Sequence, residues 1–373
     1  MTIFSFYSII PVMPLFLSEG LGMDSRTAGF AIGAFTVAAV FSRMISGYLL
    51  DCYGRRIIYF LALIFFSGMF FLYIPTTSFV GIIVLRIAHG ITWGTTSAAS
   101  QTAVVDSVPA SRRGEGIGIY GLSVALGMAI SPAIGLWIIN EIGYTTLFIL
   151  EGIVSLSALA LAFPVTYRPA PVVKPAFTLG NLFERTSIPM SVMAFILYMG
   201  FGSAINWVAF YAKEASGGSP GLFFACMAIG TGVTRFTTGK IFDNRGPVEV
   251  SAIGFLAFSL SLLLMCLWPS AAILYIGGLL IGVGSGVFMP VCTALINALV
   301  PPDRRGAANS TYYTLFECGI GAGIIVTGAL IPVLGVRGSF GIFVGTTLIA
   351  ALIFYLYALP YCRRQQAQLR QTY

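Results

Sequence analysis

Two carboxylates stand inside long apolar runs of this chain. Glu317 lies in the middle of one run, followed by Cys318, Gly319, Gly321 and Gly323, and Glu151 lies about two turns into another. A carboxylic acid in apolar, intermittently wet surroundings holds its proton more tightly than in water, so it can load and release that proton during a conformational cycle. Glu317 is the first candidate for such a carrier and Glu151 the second. The bland alternative for either is a structural pair with an arginine or a hydrogen bond to a neighbouring helix. A third group shares one helical face: Arg86, His89, Gly90 and Trp93 follow i, i+3, i+4, i+7 spacing, and Ser97 and Gln101 continue the stripe. A guanidinium in hydrocarbon is costly, so this face looks into the protein or a wet cavity. His89 is the only histidine, and an imidazole exchanges protons near neutrality, yet a single His beside an Arg also serves as a plain helix contact. Both roles stay open. The six cysteines are scattered without a CxxC pair, so no metal site, cofactor or disulfide framework is expected. No Ser-His-Asp, HExxH or GxxxxGK[ST] pattern occurs, which argues against an enzyme and against nucleotide-driven work, and leaves a gradient as the energy source.

The elements that carry these groups follow from composition. The chain has 373 residues, 57% hydrophobic and 9% charged, where a soluble domain carries about 25% charged residues. The bilayer is therefore the solvent for most of it. Apolar stretches of about 17–25 residues, enough to cross the hydrocarbon core, recur near 1–18, 28–50, 57–74, 79–105, 116–139, 145–166, 188–212, 220–242, 249–268, 271–299, 306–331 and 338–362. Barrel strands would be about half as long and would alternate polar with apolar. The expected fold is all-α and integral to the membrane, with about twelve transmembrane helices. Most of the 20 Lys and Arg residues fall in alternate loops and the C-terminal tail. Cytoplasmic loops collect these residues, so a multi-pass protein of the cell (inner) membrane with both termini in the cytoplasm is expected. The basic excess is then a topology signal and not a nucleic-acid footprint. The first span is short and no cytoplasmic residues precede it, so it reads as truncated at its start, with Met1 open as the true initiator and no cleavable signal peptide.

The chain also reads as a duplication. Residues 167–187, rich in Pro and charge, divide a first six-helix bundle (1–166) from a second (188–362), with a cytoplasmic tail at 363–373. Arg43, Gly47, Asp51 and Gly54 recur as Arg235, Gly239, Asp243 and Gly246, a shift of 192 positions. Val108-Pro109-x2-Arg112-Arg113-Gly114 recurs as Val300-Pro301-x2-Arg304-Arg305-Gly306 at the same shift, and Tyr120 pairs with Tyr312. Two separate motifs in one register imply internal repeats, an architecture that transporters use.

The run Gly47-x3-Asp51-x2-Gly54-Arg55-Arg56, with its copy at Gly239, Asp243 and Gly246, resembles the signature loop of the major facilitator superfamily. Arg86-Ile-Ala-His89-Gly90 resembles the family's fourth-helix motif, with His89 where Gln is commoner. Gly118-x8-Gly127-x3-Ser131-Pro132-x2-Gly135 resembles the fifth-helix pattern of proton-coupled antiporters, departing from it at Ser131 and at Leu136. The resemblance covers essentially the whole chain. It implies two pseudo-symmetric six-helix bundles, with Gly47 leaving room for a helix to approach. It also implies a cytoplasmic gate in which Asp51 meets the start of span eleven near Gly306, beside Arg304 and Arg305. By pseudo-symmetry Asp243 meets the start of span five near Gly114, after Arg112 and Arg113. The bland alternative is that Arg55 and Arg56 serve only topology and Asp51 only solubility. Arg86 is tied by it to proton transfer, and the fifth-helix stripe to sealing against leak, although plain helix packing would use the same small residues. Cavity-lining candidates are Trp93, Gln101, Asn206, Trp207, Tyr312 and Tyr313, which suit a small amphipathic or neutral solute. The expected activity is export of a small organic solute in exchange for protons, by a chain that functions as a monomer in the lipid bilayer. A proton symporter or a uniporter on the same fold is the first rival; a membrane-embedded enzyme or a non-transporting sensor is the next.

Overall fold

A computed structural model describes residues 1–109, 113–165, 167, 183–215, 218–301 and 304–372. All regular structure among them is helical. The chain separates into two compact units, Met1–Phe177 and Thr178–Tyr373.

The first unit contains α1 (Thr2–Ile9), α2 (Val12–Leu15), α3 (Ser25–Tyr53), α4 (Arg55–Leu72), α5 (Phe79–Ser107), α6 (Arg113–Glu141) and α7 (Tyr144–Ala162). The second contains α8 (Ile188–Glu214), α9 (Pro220–Arg245), α10 (Pro247–Leu267), α11 (Ala271–Asn297), α12 (Arg305–Ile353) and α13 (Leu359–Thr372). By length and composition nine stretches can cross a bilayer among the described residues, or ten if the bent pair at the start is one crossing. Outside these stretches lies the polar helix α9, which carries Thr231, Thr234, Arg235, Thr237 and Thr238. The last stretch, Ala307–Ala367, contains Gly335, where φ of +68° breaks α12 into two helices.

Three expectations change. The first span is not one straight helix: Thr2–Ile9 and Val12–Gly20 meet at 45°. Pro11 and Pro14 are the cause, because each lacks an N–H for the helical ladder and its ring crowds the preceding turn. Spans eleven and twelve are not separated by a loop but join directly at Gly335. Among the described residues nothing closes on Gly47, since a Cβ added there or at Gly239 would meet nothing within 4 Å.

Helix pairing is the same in both units. α6 packs on α1, α5 on α3, and α4 on both α5 and α7. Correspondingly α12 packs on α8, α11 on α9, and α10 on both α11 and α12. With no water to expel between helices in lipid, close association depends on small residues that let backbones touch. A Cβ on Gly90 would lie 2.3 Å from the Phe35 carbonyl oxygen, and one on Gly282 would lie 2.0 Å from that of Met227. Both residues of that pair are shifted by 192. Gly127 against Ile3 and Gly319 against Phe195 repeat the relation, as do Gly94 against Ala39 and Gly286 against Thr231. The turns obey it too. Gly54 and Gly246 have φ of +92° and +78°, and Gly143 and Gly335 have +114° and +68°. Such backbone conformations are nearly closed to residues with a Cβ, so the motif glycines at 54 and 246 are required by the turns into α4 and α10.

Candidate functional site

The densest buried polar group lies in the first unit. Arg86, 4% exposed on α5, donates from Nη1 to the Tyr73 hydroxyl at 3.3 Å, and that hydroxyl stands 3.1 Å from His89 Nδ1. Tyr73 follows the last residue of α4, so the trio ties α4 to α5. The Arg86 guanidinium lies 4.2 Å over the Phe35 ring. No carboxylate pairs with it among the described residues, and the ring face offers about 0.5–2 kcal/mol of partial compensation. His89 is enclosed by the rings of Phe35, Phe66, Phe70 and Tyr73. Arg86 Nε and His89 Nε2 are both buried without a hydrogen-bond partner. One turn further along α5, Trp93 stacks on Phe6 with ring centroids 3.8 Å apart. Gln101 stands at an exposed position towards the other end and reaches Tyr120.

Glu151 forms a second buried group where α7 meets α1. Its residue is 1% exposed. Ser8 donates to Oε1 at 2.6 Å, and Ser5 donates to the Glu151 backbone carbonyl at 3.1 Å. Oε2 is buried with no partner. One oxygen is thus oriented by a hydroxyl while the other is left to carry a proton or accept one. The fifth-helix motif backs onto the same short helix. A Cβ on Gly135 would lie 2.5 Å from the Ser8 carbonyl oxygen, the Ser131 hydroxyl donates to the Gly127 carbonyl, and Pro132 stands inside the helix. The small-residue stripe therefore positions Ser8, and Ser8 positions Glu151.

In the second unit Glu317 is partly exposed on α12. Trp207 is fully buried, its indole N–H spent on the Ile324 carbonyl at 3.3 Å, and Asn206 donates to the Gly202 carbonyl of its own helix. Tyr312 is buried in an aromatic cluster with Tyr198, Tyr313 and Phe316. At the start of α12, Arg304 forms an ion pair with Glu184 at 2.9 Å, and the Glu184 backbone N–H donates to Thr311 at 2.8 Å. Arg305 is exposed beside it. Burial opposes the Glu184 charge, but hydrogen bonds from Arg304 and Thr186 outweigh it and hold the carboxyl below its ordinary range. Arg55 is partly buried and Arg56 exposed at the start of α4. Arg112 lies outside the described residues, as do most of the linker and the side chains of Asp51, Arg113 and Asp243 and the surroundings of Gly118.

The structure thus joins Arg86 to His89 and ties the fifth-helix stripe to Glu151. Sequence reasoning missed Tyr73, Ser5, Ser8 and Glu184. A signal existed for the serines, which stand three apart in an otherwise apolar run and so share a helix face. None existed for Tyr73, which ends an aromatic run and is joined to Arg86 and His89 only by folding.

A duplicated all-helical bundle with buried ionisable groups and apolar outer faces is the architecture of a polytopic membrane protein. Residues 1–215 and 190–371 each match the Major Facilitator Superfamily. The chain belongs to that family, and transport of small molecules across a membrane is its work. It is 26% identical over 368 residues to the multi-drug resistance efflux pump PmrA of Streptococcus pneumoniae, covering 92% of this chain and 89% of that protein. It is 21% identical over 355 residues to the staphylopine export protein of Staphylococcus aureus, covering 90% and 89%. Its fold is similar to the crystal structure of a bacterial homologue of the human lysosomal transporter Spinster, with a TM-score of 0.80 at 16% identity, covering 98% of this chain and 95% of that one.

Proposed function

We propose that this protein exports a small organic solute in exchange for protons by alternating access. The observation that carries the reading is Glu151: a buried carboxyl with one oxygen held by Ser8 and the other unpartnered, inside a membrane helix. Intramembrane acids are expensive and are kept where a proton or ion must pass. Protonation from the outer side would neutralise Glu151, and release to the cytoplasm would restore the charge. Glu317, the other intramembrane acid, is assigned the second protonation step. Arg86 and His89 supply the fixed positive and polar surroundings of the path. The outward direction is supported by the efflux pump and the export protein among its relatives. The chain works as a monomer in the inner membrane, with both termini cytoplasmic. Asp51 and Asp243, with Arg112, Arg113, Arg304 and Arg305, form the cytoplasmic gate that biases the two states.

The test is reconstitution into liposomes under an imposed pH gradient, with a panel of amphipathic and neutral organic compounds. Gradient-driven flux is expected for at least one compound in the unaltered chain and is lost in Glu151→Gln. Flux that ignores both the gradient and the substitution would establish a uniporter.

A further inference from the structure

We propose that the groove at the start of α4 is a binding site for an anionic phospholipid, with the phosphate on Arg56 and an acyl chain along the apolar wall. The groove is shallow and open, has a volume of about 320 Å³, and is lined by Arg56, Ile57, Phe60, Leu61, Ile64 and Phe163. Arg56 is the only charged residue among its described lining residues. The guanidinium lies 5.5 Å over Phe60 and 5.3 Å over Phe163, and its Nη2 donates to the Phe163 carbonyl at 3.3 Å. These contacts fix the head of the side chain at the rim without neutralising it, and no carboxylate pairs with it among the described residues. Below the rim, Ile57, Leu61 and Ile64 form one exposed helix face, with Ile57 61% exposed. Cation at the rim and apolar stripe beneath it match a phosphate headgroup and the chain that hangs from it.

The other unit supplies an internal control. Its groove of about 350 Å³ stands at the start of α10 and is lined by Ile241, Asn244, Arg245, Glu249 and Ile253. Ile253 aligns with Leu61 in the 192 register, and Glu249 aligns with Ile57. There Arg245, which aligns with Tyr53, pairs with Glu249 four residues on at 3.3 Å, while Val248 stands at the position of Arg56. Four residues after Arg56 the first unit has Phe60 and not a carboxylate, so the groove offers a guanidinium without the i+4 partner that Arg245 has. Tyr167 borders the first groove with its ring 6.4 Å from Phe60.

The experiment is native mass spectrometry of the full-length protein titrated with phosphatidylglycerol or phosphatidylcholine. The unaltered chain is expected to retain phosphatidylglycerol in preference. Arg56→Ala should weaken that retention about tenfold, the scale of one charge-assisted hydrogen-bonded contact, and Arg56→Lys should weaken it less. Ile57→Glu should give a loss of similar size by placing a carboxylate in the apolar wall that would hold the acyl chain. Because Ile57 is exposed and outside the core, this variant tests the site even if Arg56→Ala misfolds. Equal retention of the two lipids by the unaltered chain, or unchanged phosphatidylglycerol retention in Ile57→Glu, would overturn the assignment. So would displacement of the lipid by millimolar inorganic phosphate, which would reduce the groove to a simple anion site.

Discussion

Laid side by side in the 192 register, the two units keep the same skeleton and fill it with opposite chemistry. Where the first unit has Arg86, His89 and Tyr73, the second has Gly278, Ile281 and Met265. Where the first places the Glu151 carboxylate on the Ser8 hydroxyl, the second places Phe343 against Gly200, with a Cβ on that glycine 3.2 Å from the Phe343 Cβ. The contact survives and its content is exchanged: a small residue plus a large ring takes the space of a hydroxyl plus an acid. The glycines at the helix crossings and turns behave differently. Gly90, Gly94, Gly127, Gly54 and Gly143 all have glycine partners at Gly282, Gly286, Gly319, Gly246 and Gly335. At these five positions close crossings and positive-φ turns keep glycine in both units, whereas other crossing glycines do not, since Gly135 aligns with Thr327 and Gly278 with Arg86. Core side chains need only fill volume, so they are free to diverge. The first unit thus concentrates buried ionisable groups and the second concentrates packing.

The largest expected effect breaks this comparison at its chemical pair. Glu151→Gln keeps the shape and the Ser8 contact but cannot cycle a proton, so gradient-driven transport should fall to background while the protein stays folded. Phe343→Leu, at the aligned position, should lower thermal stability and leave coupling intact. Flux measured in liposomes alongside thermal unfolding separates the two, and coupling lost equally in both variants would erase the division of labour.

The next effect compares one crossing in its two copies. A Cβ on Gly319 would meet the Phe195 carbonyl oxygen at 2.2 Å, a backbone atom that cannot yield without parting α8 from α12. A Cβ on Gly127 would meet Ile3 Cγ2 at 2.7 Å, the end of a side chain that can rotate away. Gly319→Ala should therefore cost about 1–3 kcal/mol, the usual range for overpacking, and Gly127→Ala clearly less. Thermal unfolding in detergent reads the difference; equal losses would show that the two crossings are equally unyielding.

How much of this was legible beforehand follows the same line between backbone and side chain. Gly54 and Gly246 announced themselves, because a turn with positive φ dictates residue type and the motif spacing fixed their positions. The stripe Gly127, Ser131 and Gly135 was likewise readable as a close crossing. The partner across that crossing was not. Nothing in the sequence says that Ser8, in a short segment bent at Pro11, faces Glu151 on the sixth crossing. Tyr73 was hidden for the same reason. Gly47 shows the opposite case, in which a small residue suggested a close approach and no described atom comes within 4 Å of a Cβ placed there.

The turn glycines give a smaller, symmetrical prediction. Gly54→Ala and Gly246→Ala force a Cβ into backbone regions that cost about 1–3 kcal/mol for residues other than glycine. Open space surrounds both, so the loss is conformational and should be nearly equal in the two units. A difference of more than about 1 kcal/mol between the two midpoint shifts would mean that the duplicated turns are not equivalent in energy.

The smallest effect concerns a contact described in one unit only. Glu184, 13% exposed, pairs with the half-solvated Arg304 at the start of α12, a pair of the kind that contributes about 0.2–1 kcal/mol. Its carboxyl is held below the ordinary range. A group with a depressed folded-state value contributes stability that is fully present above the unfolded value and is lost as pH falls through the folded one. The contribution is therefore intact at neutral pH and disappears in acid, below the ordinary glutamate range. In Glu184→Gln the melting temperature should be slightly lower at pH 7, and the gap to the unaltered chain should close as the buffer is taken through pH 4 and below. A gap that widens in acid would reverse the sign and assign the clasp to Thr311 and the backbone instead of to the ion pair.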